Sequence, residues 1–266
     1  MVCAMRAVAW FLVLAAGCVS GSPGGVQKRW RGQPANAGAS RAEAVAVAVP
    51  QPPTWRAIGK SVEGRPLRVL RLGHGPRKAL WVGGIHGDER EGAIATAELP
   101  AAFLATPGAV DKVTLTILED ANPDGSVAGT RANRNGVDLN RNYPAKNYLP
   151  GQGRGDKPLD QPEAKALHDL VLAVRPDVMV VAHAWRGDTF INFDGPAERL
   201  AERFGRASGL RVKPSDKIAP TPGSLGSWVG HTLRWPILTL EYLRGSGQQE
   251  NWQKTKAAIL AVLVGD

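Results

Sequence analysis

The chain of 266 residues contains two cysteines, Cys3 and Cys18, and none beyond position 18. A disulfide framework is thereby excluded for the body of the protein, whatever compartment it reaches. A dense basic run interleaved with aromatics is also missing, which argues against a nucleic-acid surface although the formal charge is +9. Part of that excess is local: residues 19–50 carry Lys28, Arg29, Arg31 and Arg41 against Glu43 alone. The apolar stretch "AVAWFLVLAAGC" (7–18) is too short to span a bilayer. What is present is 43% hydrophobic and 21% charged residues, enough for one globular domain with a core of its own.

Met5-Arg6, the apolar run and the small residues before Cys18 read as a signal peptide. Ala15-Ala16-Gly17-Cys18 resembles a bacterial lipobox, with Cys18 as the lipidated residue and Leu14 one place early for the pattern. Residues 19–53 are rich in Gly, Ala, Ser and Pro, from "VSGSPGG" to "VPQPP". They hold too few large apolar side chains to offset the entropy of ordering, which is linker composition. The expected organisation is a leader over 1–18, a linker over 19–53 and a folded domain over 54–266. That places the protein in an envelope, exported and anchored to the membrane only through its N-terminus.

From Trp55 onward strand-like and helix-like segments alternate. "PLRVLRLG" (66–73) reads as an exposed strand, and "KALWVGGIHG" (78–87) and "KVTLTILED" (112–120) as inner ones. "PDVMVVAHAW" (176–185) and "PILTLEYL" (236–243) add two more buried strands. "EGAIATAELPAAFLA" (91–105) is helical in composition, with Pro100 expected to kink or end it. "PEAKALHDLVLAV" (162–174) starts with Pro, "PAERLAERFGRASG" (196–209) is stopped by Gly209, and "NWQKTKAAILAVLVG" (251–265) closes the chain as a helix. The pattern predicts an α/β fold: a three-layer α/β/α sandwich with a mostly parallel mixed sheet. Sites in such folds gather beyond the carboxyl ends of strands. His86, Asp120, His183 and Glu241 all lie at such ends.

In "GGIHGDERE" (83–91), His86 and Glu89 stand three apart, and a helix opened by Glu89 would bring them to one side of a turn. Acids at a helix start need no metal to explain them. His183 changes the balance, because with His86 and Glu89 it completes a His2Glu set suited to catalytic zinc. His74, His168 and His231 lack such placement and are read as surface or structural. "NPDG" (122–125) reads as a tight turn. "RANRNGVDLNRNYP" (131–144) carries Arg131, Arg134 and Arg141 among Asn and Asp: either a solvated loop or a wall that grips carboxylates and oxyanions. Asp138 could orient a ligand histidine through its second ring nitrogen. Glu241 closes a buried strand, and a carboxylate there is paired, for example with Arg71 or Arg244, or functional. Near zinc it could move a proton from water to a leaving amine.

Taken in order, "GGIHGDERE", "NPDG", "RANRNGVDLNRNYP", His183 and Glu241 resemble the zinc metallocarboxypeptidase family over residues 55–265. The resemblance implies one Zn2+ on His86, Glu89 and His183, with Glu241 as general base and acid. It implies Arg131 for the oxyanion, and Asn140 and Arg141 for a free substrate carboxylate. Digestive members carry a mobile tyrosine some twenty residues before the glutamate. Here that region reads "KIAPTPGSLGSWVG" (217–230), and the only tyrosines are Tyr143, Tyr148 and Tyr242. "NFDGPAERLA" (192–201) and "TPGSLGSWVG" (221–230) are similar to the bacterial murein peptide amidase branch, which cleaves between γ-D-glutamate and a diamino acid. The expected partner is therefore a cell-wall peptide with a free carboxylate. Trimming of C-terminal residues from ordinary peptides, and binding of wall peptides without cleavage, are the alternatives.

Overall fold

A computed structural model describes residues 53–218 and 220–265. The leader, Cys18 and nearly all of the expected linker lie outside the described residues. Eight strands form one sheet: β1 (Arg56–Lys60), β2 (Pro66–Leu72), β3 (Arg77–Val82), β4 (Val113–Leu118), β5 (Val178–Trp185), β6 (Phe190–Asp194), β7 (Arg211–Pro214) and β8 (Ile237–Leu243). Their order is β1-β2-β4-β3-β5-β8-β6-β7. The centre, β4-β3-β5-β8, is parallel, and so is the pair β6-β7. β1-β2, β2-β4 and β6-β8 run antiparallel.

Among the described residues six α-helices accompany the sheet: α1 (Ala93–Leu104), α2 (Ala109–Lys112), α3 (Pro123–Ala128), α4 (Pro162–Val174), α5 (Glu198–Ser208) and α6 (Gln248–Val264). The central strands β3, β4, β5 and β8 are apolar on both sides, so both faces need a cover. One face, with Trp81, Leu115, Val180 and Leu240, packs under α1, α5 and α6 through Phe103, Phe204 and Ile259. The other, with Leu80, Val82, Met179 and Val181, packs under α4 and the π-helical turn Ser227–Thr232 through Leu167, Val171, Trp228 and Val229. This is the expected three-layer α/β sandwich on a mixed, centrally parallel sheet. Among the described residues no helix is long and apolar enough to cross a membrane.

Several local expectations are corrected. α1 continues through Pro100, because Leu99, Ala102 and Phe103 beyond and beside it are buried in the core and hold the last turn in place. The helix begins at Ala93 rather than Glu89, so His86 and Glu89 sit on the turn that precedes it, closed by the Glu89 amide donating to the His86 carbonyl (3.1 Å). "NPDG" is not an isolated turn but the start of α3, where the Asn122 side chain accepts from the Gly125 amide (3.0 Å) and Pro123 occupies the first turn. β1, β6 and β7 are strands that the periodicity did not announce. α4 does open on Pro162, and α5 does stop at Gly209, whose φ is 71°.

Candidate active site

The parallel register brings the distant motifs to one edge. β3 pairs Val82 with Val181 of β5, and four residues beyond Val82 the turn delivers His86. In the β5-β8 pair His183 stands directly beside Glu241, on the same face of the sheet. Gly87 lets this turn lie against α3: a Cβ there would run into the backbone of Gly125 and Ser126.

His86, Glu89 and His183 each offer a ligand atom, and these atoms lie within 4.8 Å of one another. His86 Nδ1 is 2.9 Å from Glu89 Oε1 and 3.0 Å from His183 Nδ1, and His183 Nδ1 is 2.9 Å from Glu89 Oε2. The other nitrogen of His86, Nε2, is 3.0 Å from Asp138 Oδ1. That bond takes the ring proton and turns the Nδ1 lone pair inward. Two inward-facing imidazole nitrogens and a carboxylate, all buried, form a donor set that fits a catalytic zinc. A cation at their centre would satisfy lone pairs that otherwise confront each other.

The charges around this trio are cross-braced. Arg131 donates through Nη1 to Glu89 Oε1 (2.8 Å) and through Nε to Asp138 Oδ2 (3.0 Å). Glu89 Oε2 also accepts the Ala184 amide (2.9 Å). Burial would raise the Glu89 carboxyl, but hydrogen bonds with His183 and His86 hold it well below the usual range. Burial likewise opposes the charge of Asp138, and His86 with Arg131 and Arg141 holds it low. Burial lowers His86, yet Asp138 and Glu89 raise it overall.

Asn140 and Arg141 lie on a 3-10 turn, Leu139–Arg141, capped by Asp138, whose Oδ1 accepts the Asn140 amide (2.9 Å). Asn140 Oδ1 accepts from the Leu225 amide (2.9 Å), which leaves its NH2 free to donate. The Arg141 guanidinium bonds the Asn140 carbonyl (2.7 Å) and has no carboxylate partner among the described residues. Burial lowers its pKa although Asp138 opposes this, so an unpaired guanidinium stands half buried beside the trio.

Glu241 makes no ion pair among the described residues. Arg244 instead bonds the carbonyl and carboxylate of Asp88 (3.0 and 3.2 Å) and lies 3.6 Å from Glu89 Oε1. Burial pushes the Glu241 carboxyl above the usual range, although His183 pulls the other way. His86, Glu89, Arg131, Asn140, Arg141, His183 and Glu241 all line one cavity of about 250 Å3. Arg134 does not join them; it pairs with Glu63 at 2.9 Å on the surface. His74 and His168 are elsewhere, against Asp111 and Trp228. No tyrosine lines the cavity: Tyr143 and Tyr242 are buried in the core, and Tyr148 donates to the Gly155 carbonyl (3.1 Å).

The family model for zinc carboxypeptidases, Peptidase_M14, matches residues 40–247. The chain belongs to the zinc carboxypeptidase family. Zinc is accordingly the cofactor, and His86, Glu89 and His183 are the group that can hold it. The chain is 33% identical to murein peptide amidase A of Escherichia coli K12 over 209 residues, covering 72% of this chain and 82% of the relative. It is 32% identical to murein peptide amidase A of Vibrio campbellii over 206 residues, 71% and 79% of the two chains. The crystal structure of the murein-tripeptide amidase MpaA of Escherichia coli O157 superposes with a TM-score of 0.68 at 30% identity, over 81% of this chain and 93% of that one.

Of the far wall of this zinc carboxypeptidase's cavity, Ser215 and Thr239 were not singled out from the sequence, and Asn192, Asp194, Thr221 and Ser224 entered only within segments resembling the murein peptide amidase branch, with no role given. Asp194 carried a usable signal, an acid closing the apolar strand "FINFD", the same signal that singled out Glu241.

Proposed function

We propose that the protein is a zinc-dependent amidase of the envelope that hydrolyses the bond between γ-D-glutamate and a diamino acid in murein peptides. The observation that carries the reading is the convergence, in one cavity, of the His2Glu trio, an unpaired Glu241 and the unpaired Arg141. The relatives named for murein peptides direct the choice of substrate.

Zinc, when bound by His86, Glu89 and His183, supplies Lewis acidity that lowers the pKa of water and polarises the scissile carbonyl. The chain's own residues do the rest. Arg141 and the Asn140 amide grip the carboxylate next to the bond, which fixes the register of the substrate. Glu241, deprotonated, takes the proton of the attacking water and delivers it to the departing nitrogen. Burial raises its pKa, a bound zinc opposes that shift, and it acts in its deprotonated form. Arg131, braced through Nε and Nη1, keeps Nη2 for the carbonyl oxygen as negative charge develops there. Asp138 fixes the tautomer of His86 and the position of Arg131 together.

Parallel assays of the murein tripeptide L-Ala-γ-D-Glu-diaminopimelate and of simple acyl-dipeptides test the reading. The tripeptide is expected to be the better substrate by at least ~100-fold in kcat/KM; the reverse order assigns the cavity to C-terminal trimming of ordinary peptides. Cys18 is proposed as the lipid anchor, on the strength of its lipobox-like setting. Incorporation of labelled fatty acid that is lost in Cys18→Ala supports it, and label retained in that variant refutes it.

A further inference from the structure

Arg244 is one of the cations that the sequence offers to Glu241, and in the fold it turns to other partners. Its backbone amide donates to the carbonyl of Trp185 (2.8 Å), the last residue of β5, so it is fixed at the strand end that carries His183. Its side chain crosses to the turn that carries the other two zinc ligands. There Nη1 donates to the Asp88 carbonyl (3.0 Å) and Nη2 to Asp88 Oδ2 (3.2 Å), and Nη2 also lies 3.6 Å from Glu89 Oε1. The Asp88 carbonyl belongs to the planar peptide that joins Asp88 to Glu89, so this bond sets the direction in which the chain enters Glu89.

The connection from β8 to α6 continues the grip on the far side of Glu89. The Gly245 amide donates to Glu91 Oε1 (2.7 Å), and Asn251 Nδ2 donates to the Glu91 carbonyl (3.3 Å). Asn251 is itself held by Ser246 Oγ (2.8 Å), and both Glu91 and Asn251 are buried. Glu89 is therefore bracketed: the residue before it is bound by Arg244, and the second residue after it by Gly245 and Asn251. The turn between β3 and α1 belongs to no strand or helix, so contacts like these, rather than a ladder, set its shape. The segment that supplies them starts three residues after Glu241 on the same chain.

We infer that Arg244 is a positioning residue for the metal site, which clamps the turn bearing His86 and Glu89 to the strand ends bearing His183 and Glu241. Its two terminal nitrogens span a backbone carbonyl and a carboxylate oxygen of the same residue, a fit to the planar guanidinium that the single nitrogen of lysine lacks. Its charge is matched by that of Asp88, so its contribution is geometry rather than field. A ligand carboxylate free to swing holds a cation less tightly, and a base whose distance from the ligands drifts works less often. The inference rests on the zinc trio and not on the choice of a murein substrate.

Zinc affinity measured by chelator competition on the full chain puts Arg244 to the test without any substrate. Arg244→Ala is expected to bind zinc about 10-fold more weakly than the native protein. Arg244→Lys, which keeps the charge and loses the fork, is expected to stay about as weak. Native affinity in Arg244→Ala overturns the inference, and so does full recovery in Arg244→Lys, which would make charge alone the requirement. A merely structural role lowers the urea midpoint of the zinc-free protein and leaves the zinc affinity unchanged, which also overturns it. Where Arg244→Ala does not fold, Asp88→Asn carries the test: it keeps the carbonyl bond, loses the charged one, and is expected to weaken zinc by about 3-fold. At saturating zinc, kcat of Arg244→Ala should fall by about 10-fold with KM within about twofold, since Asn140 and Arg141 are untouched; a change in KM alone would place Arg244 on the substrate instead. Weakened zinc in the variants, with no cleavage of murein peptides by the native protein, keeps the positioning role and removes the murein assignment.

Discussion

The two ends of the active-site cavity are built on different principles. At the metal end the ligand trio is cross-braced: His86 to Asp138, Glu89 to the Ala184 amide and Arg131, and Arg131 back to Asp138. The ligands His86, Glu89 and His183 leave the centre of a parallel sheet, where neighbouring strands fix each other's register, and Arg131 and Asp138 reach them from the loop after α3. At the far end a serine proton is shared among three oxygens, and a half-exposed histidine holds one side of Asp194. Those residues come from β6 and β7 at the sheet margin and from the segment that follows. Chemistry needs groups placed to a fraction of an ångström, and the braced end supplies that.

Substitutions sharpen this contrast, and the largest effects belong to the braced end. His183→Ala is expected to lose stoichiometric zinc and to lower activity by ~10^4-fold or more, read by metal analysis and product release. Zinc retained at one per chain would break the assignment of the trio. Glu241→Gln should keep its zinc and its fold while kcat falls by about 10^3-fold. Near-normal turnover would remove Glu241 from the chemistry. Asp138→Asn should leave the fold intact and weaken zinc by roughly 10- to 100-fold in a chelator competition, since His86 loses the partner that sets its tautomer.

The smallest effect lies outside the cavity. Asp124, in α3, holds the turn Ser61–Arg65 between β1 and β2. Burial opposes its charge, but the Ser61 hydroxyl, the Glu63 amide and Arg65 hold its carboxyl below the usual range. A depressed folded pKa contributes stability above the unfolded value of about 3.9 and loses it as pH falls through the folded value. Asp124→Asn should therefore lower stability by about 1–2 kcal/mol at pH 7, and the gap from the native protein should close as pH falls through the folded value. Urea midpoints across that range measure it; a gap independent of pH would refute the electrostatic account.

The same contrast explains what could be read from the sequence. β3, β4, β5 and β8 announce themselves because a strand buried on both faces must be a continuous apolar run, and the polar residue that ends it then stands out. His86, His183 and Glu241 were visible for that reason, and the structure brings them together with Arg131, Asn140 and Arg141. β1 and β7, "RAIGK" and "RVKP", lie at the sheet edges, short and mostly exposed, and owe their shape to pairing with β2 and β6. No periodicity survives in five residues. Pro100 misled because helix propensity was weighed without the core that surrounds Leu99 and Phe103. Asp194 was legible by the rule that found Glu241, but its contact with Ser215, 21 residues later, exists only in the fold.

The central claim is that this cavity cuts one particular amide. Mass analysis of the products from L-Ala-γ-D-Glu-diaminopimelate, incubated with the zinc-loaded protein, tests it most directly. The account predicts free diaminopimelate and L-Ala-D-Glu, formed by the native protein and not by Glu241→Gln. An intact tripeptide, or cleavage between alanine and glutamate, would contradict it.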